Sequence, residues 1–181
     1  MNKATGSSSW LSKIGLGLSI LATPSWCGST LTAEQQNTLS SWLAQHVNYR
    51  LATDADCDCA IDIKQMRDGY SDPRYALPDY HPFAATGDFN DDGVEDFAVA
   101  LIDAKASTDN FTLVVFNGPF SKRPVAPAFI KTGLDLRRDR LFYFGSLRGK
   151  PYRLWVGPFN SDSVVKLTPS RNTYRIEALA E

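Results

Sequence analysis

The chain has 181 residues, 43% of them hydrophobic and 22% charged. These proportions suit one globular domain and exclude both a disordered chain and a multi-span membrane protein. Nineteen Lys and Arg against twenty Asp and Glu leave a formal net charge of -1, which excludes a general nucleic-acid binder that must neutralise many phosphates.

Residues 1–25 read as an export signal. Lys3 and Lys13 precede the apolar stretch Ile14 to Ala22, and Thr23, Pro24 and Ser25 follow with small residues that suit a signal peptidase. So short a stretch cannot cross a hydrocarbon core that needs roughly 20 helical residues. Residues 26–181 are therefore expected to form a single α+β domain, periplasmic or secreted from a bacterial cell, with no membrane span after signal removal. An oxidising compartment favours thiol pairing among Cys27, Cys57 and Cys59. Joining Cys27 to Cys57 or Cys59 would tether the mature N-terminus, whereas Cys57 with Cys59 would close a very short ring. The tether is the expectation.

From Thr32 to about Arg50 the pattern predicts an amphipathic helix. Thr32 is the N-cap, Gln35 completes a capping box three residues on, and Leu39, Trp42, Leu43, His46 and Val47 form one stripe. A second helix is predicted over 60–67, opened by Asp58 and stopped by Gly69. Residues 70–82, rich in Tyr, Pro and Asp, read as an irregular connection.

After Phe83 the pattern changes to strands. Phe97 to Ile102 and Phe111 to Phe116 are continuous apolar runs, the mark of strands covered on both faces. Further strands are predicted at 128–131, 141–144, 152–156, 164–167 and 174–178, separated by Gly- and Pro-containing turns. Short connections favour an antiparallel, meander-like sheet of about 6–8 strands, packed by the N-terminal amphipathic helix.

The segment Gly87-Asp88-Phe89-Asn90-Asp91-Asp92-Gly93-Val94-Glu95-Asp96-Phe97 carries the chemistry. Side-chain oxygens fall on Asp88, Asn90, Asp92 and Asp96, Gly93 permits a sharp reversal, and the Val94 carbonyl can add a ligand. Alternate residues of a tight turn thereby aim hard oxygen donors at one centre, as Ca²⁺ requires. An acidic turn of ordinary type and a site for Mg²⁺ are the other readings. The bidentate Glu of an EF-hand is missing, since its place falls on Val99 within an apolar strand.

Residues 87–99 closely resemble the calcium loop of FG-GAP and VCBS-type repeats, in which an Asp-x-Asn-x-Asp-Gly-x-x-Asp turn runs directly into a strand. The resemblance implies Ca²⁺ held by Asp88, Asn90, Asp92, Val94 and Asp96. That family usually strings such turns as propeller blades, and this chain has one copy. More loosely, the region 81–159 looks like small exported bacterial proteins with a single such loop.

Only two histidines are present, His46 on the helical stripe and His81 shortly before the loop. No nucleophile elbow, P-loop, zinc-peptidase or dinucleotide fingerprint appears. The expected function is an exported, calcium-stabilised binding module whose partner is a protein or a cell-envelope polymer. The alternatives are an inhibitor or immunity-type protein that presents residues 103–110 or 117–127, and a cell-wall or extracellular hydrolase using His81 with a carboxylate.

Overall fold

The structure, a computed structural model, describes residues 31–107, 110–121, 125–135, 140–143, 153–157 and 164–178. The export signal, Cys27, and parts of the loops 103–110 and 117–127 lie outside the described residues.

Helix α1 spans Ala33–Gln45 and begins with the expected capping box. The Thr32 N–H donates to Gln35 Oε1 at 2.8 Å and the Gln35 N–H donates to Thr32 Oγ1 at 3.3 Å, so two backbone donors that lack helical acceptors are satisfied. The helix is shorter than the expected 32–50. His46 caps it by donating its N–H to the Leu43 carbonyl, and Tyr49–Leu51 become strand β1, paired antiparallel with Leu101 to Asp103. Val47, assigned to the apolar stripe, is 82% exposed because it sits in the turn between helix and strand.

Helix α2 covers Ala60–Asp68 and ends at Gly69 as expected, but its N-cap is Cys59 and not Asp58. Cys59 forms a disulfide with Cys57, which corrects the expected tether to Cys27. Cys59, Ile63, Met66 and Tyr80 gather in a small buried cluster of their own.

The remaining described strands are β2 (Ala84–Gly87), β3 (Asp96–Asp103), β4 (Phe111–Phe116), β5 (Phe129–Leu134), β6 (Arg140–Tyr143), β7 (Leu154–Gly157), β8 (Val165–Ser170) and β9 (Thr173–Ala178). Every pairing is antiparallel, so the class is α+β with antiparallel sheets. The single sheet is corrected to two among the described residues: β1 and β2 share one edge of β3, whose other edge continues through β4 to β5, while β6 to β9 form a separate meander.

Side-chain alternation explains why β3 and β4 are apolar throughout. Ala98, Ala100 and Ile102 of β3, with Phe111, Leu113 and Val115 of β4, face Leu154, Val156, Leu167 and Tyr174 of the second sheet. Phe97, Val99 and Leu101, with Val114 and Phe116, gather on the opposite face with Leu31 and Leu39. Each fully buried Phe or Leu contributes about 1.5–3 kcal/mol, so the centre of the fold lies on the two strands that follow the acidic loop.

Candidate metal site

The loop from Asp88 to Asp96 joins β2 to β3, which pair with each other from Gly87 and Asp96 outward. Phe89 is fully buried in the core, which pins the loop from below and turns its neighbours Asp88 and Asn90 outward. The reversal uses two left-handed backbone positions, Asp91 at φ 63° and Gly93 at φ 84°. Glycine adopts this conformation at no steric cost, and aspartate is one of the few other residues that tolerates it.

Three of the expected ligands converge. The Asp92 N–H is shared by Asp88 Oδ1 at 3.1 Å and Asn90 Oδ1 at 3.0 Å, so those two oxygens face a common point. Asp88 Oδ2 accepts from the Gly93 N–H at 3.0 Å, and Asp92 Oδ1 accepts from the Val94 N–H at 2.8 Å. Asn90 Nδ2 donates to Asp92 Oδ2 at 2.9 Å. These donors lie within the loop itself, which explains why its shape follows from local sequence.

Asp96 is placed differently. It is fully buried, and its two oxygens meet two backbone N–H donors and the Tyr174 hydroxyl. Oδ2 accepts from the Phe89 N–H at 2.9 Å and lies 3.3 Å from the Tyr174 hydroxyl, while Oδ1 accepts from the Gly118 N–H at 3.1 Å. The Tyr174 hydroxyl also donates to Asn117 Oδ1 at 2.7 Å. Burial pushes the Asp96 carboxyl up to about 6, with the Asp92 charge adding to the rise against the pull of these donors. The same burial, reinforced by Asp96, raises the Tyr174 phenol.

Gly118 can approach the loop so closely because it lacks a side chain. A Cβ there would sit 2.5 Å from Val94 Cγ1 and 2.7 Å from the Glu95 carbonyl oxygen. Gly118, Tyr174 and two further neighbours of the loop, Gln35 and Arg153, carried no sequence signal as site residues. They come from segments far from the loop in the chain, and only pairing and packing bring them to it.

The converging side-chain donors are all oxygen, two carboxylates and an amide, which fits a hard cation and not a thiolate- or imidazole-seeking one. Among the described residues no three His, Cys, Asp or Glu side chains converge in a way that would hold a metal ion. Asn90 contributes an amide, and the Asp96 oxygens are turned to the Phe89 and Gly118 N–H groups.

The histidines lie apart from this geometry. His46 is half-buried, with its ring stacked 3.7 Å from that of Trp42. His81 Nδ1 is 3.1 Å from Asp54 Oδ1, whose other oxygen accepts from Arg67 Nη2 at 3.3 Å. Arg67 in turn donates to the Tyr80 carbonyl. Among the described residues no helix is long and apolar enough to cross a membrane. No protein-family model matches the chain, and no curated protein or solved structure does.

Proposed function

We propose that the chain is an exported binding module, periplasmic or secreted, in which Ca²⁺ closes the loop at 88–96 and so fixes the entry to β3. The partner is a protein or a cell-envelope polymer, and the role is binding without turnover. The observation that carries this reading is the shared Asp92 N–H, which draws oxygens of Asp88 and Asn90 together at an acidic turn. Ca²⁺ would be held by Asp88, Asn90, Asp92, the Val94 carbonyl and Asp96. A carboxylate offers about four lone-pair sites, so the Phe89 and Gly118 N–H donors on Asp96 leave capacity for the ion. Bound calcium would supply fixed positive charge to a loop whose carboxylates otherwise repel one another by about 1–4 kcal/mol per pair.

In this reading α1 covers the face of the first sheet that the second sheet leaves open. Leu39 within the cluster of Phe97, Val99 and Leu101, and the edge-on contact of Trp42 with Phe116, support that arrangement. Binding without turnover is favoured because the Asp54 carboxylate beside His81 is engaged by Arg67. A hydrolase reading draws its support from the same His81–Asp54 pair.

Calorimetric titration and thermal melting test the proposal. Calcium is expected to bind with the millimolar-range affinity of extracellular modules, roughly 10⁻⁴ to 10⁻³ M. It should also raise the melting temperature, and Asp92→Ala should abolish both effects. No heat and no shift, in the presence of a normally folded protein, would reject it.

A further inference from the structure

Two acidic residues of the loop stand outside the proposed ligand set, and each is held by a different part of the fold. Asp91 Oδ2 accepts from Arg153 Nη1 at 3.0 Å; Arg153 directly precedes β7 and is 17% exposed. Glu95 Oε1 accepts from Gln35 Nε2 at 3.0 Å, and Gln35 is 1% exposed. The Gln35 side chain therefore does two things at once. Its amide oxygen closes the capping box on the Thr32 N–H, and its amide nitrogen reaches the loop.

Asp96 adds a third link through Tyr174 of β9. Along the turn, Asp88, Asn90 and Asp92 gather toward one another while Asp91 and Glu95 reach to the second sheet and to α1. Any change in the turn's curvature moves both sets together, because they share one short backbone held by its own hydrogen bonds. Releasing Gln35 from Glu95 would leave a buried amide donor unpaired, which is unfavourable.

We propose that the loop is a three-way clamp: cation occupancy at 88–96 is thermodynamically linked to docking of the first turn of α1 and of the second sheet. The linkage rests on the calcium reading above. It is reciprocal, so whatever the ion does to the two contacts, the contacts do to the ion's affinity.

Hydrogen exchange read by mass spectrometry, on the purified protein with its disulfide intact, tests this beside a calorimetric titration with Ca²⁺ alone. Calcium is expected to slow exchange in residues 32–38 and in 153–157 relative to chelator. Glu95→Ala should remove the response at 32–38 and keep it at 153–157, and Asp91→Ala should do the reverse. Each variant should weaken calcium binding roughly 5-fold, the low end of measured site-to-site couplings. Glu95→Gln retains an acceptor oxygen for Gln35 and should keep the response, which separates loss of the link from general destabilisation. A clear heat of binding with unchanged exchange in both segments overturns the linkage and leaves the calcium reading standing. A flat titration overturns both.

Discussion

Replacing Asp96 with Asn in chelator-treated protein measures what burial does to this carboxyl. Its ordinary value of 3.8 rises to about 6 in the fold, chiefly through burial. At about 1.4 kcal/mol per unit, the ionised form is disfavoured in the native state by about 3 kcal/mol relative to the neutral acid. The sign follows from proton binding. The folded state holds this proton more tightly than the unfolded chain, so the group's contribution is most favourable below pH 4. It declines as pH rises through 6 and levels off above that.

The amide substitution is neutral throughout, but it retains one acceptor oxygen where two received the Phe89 and Gly118 N–H groups. One buried N–H then faces an amide nitrogen, at a cost of about 1–3 kcal/mol. The variant should therefore be the less stable protein at pH 4. By pH 8 the difference should move about 2–3 kcal/mol in its favour, bringing the two proteins close to parity. Urea denaturation at each pH, with matching m values, is the assay. Parallel stability curves, with the same gap at both ends, would refute the claim that burial strains the charged form.

Two further outcomes follow from the packing and the surface charges. Phe97→Ala removes a fully buried ring stacked 4.7 Å from Phe116 and tilted against Phe120 at 5.1 Å, and should lower stability by about 3–5 kcal/mol in the same denaturation assay. A loss under 1 kcal/mol would mean that this face of β3 is not the packed centre. The Asp56 carboxyl is held down at about 2, chiefly by its hydrogen bonds from Arg50. A depressed value stabilises the fold above about pH 4, and that contribution is lost as pH falls toward 2. Arg50 is 56% exposed, so screening reduces the effect to about 1 kcal/mol. Asp56→Asn should cost that much at pH 7 and only a small part of it at pH 2 in thermal melts.

The parts legible in the residues are those whose causes are local. Thr32 and Gln35 stand three positions apart and satisfy each other's backbone, so the helix start needs no tertiary partner. The helix end is different. Tyr49 and Arg50 fall inside the expected helix, yet Tyr49–Leu51 pair as a strand because β3 offers them an edge. The four residues of β2 likewise became a strand through pairing with Asp96 to Val99. A turn of given length leads equally well to the next strand of one sheet or to the first strand of another, so the division between β5 and β6 could not be read from the connections.

By itself the sequence determined the cap of α1, the two fully covered strands and an acidic turn with oxygens at alternate positions, because each depends on residues within a few places of one another. Tertiary structure decided which side chains meet that turn. Gln35, Gly118, Arg153 and Tyr174 reach it from 22 to 78 residues away, measured between hydrogen-bonded partners. Such meetings depend on strand order and on which face of each sheet is buried, and both are set by the burial of the core as a whole.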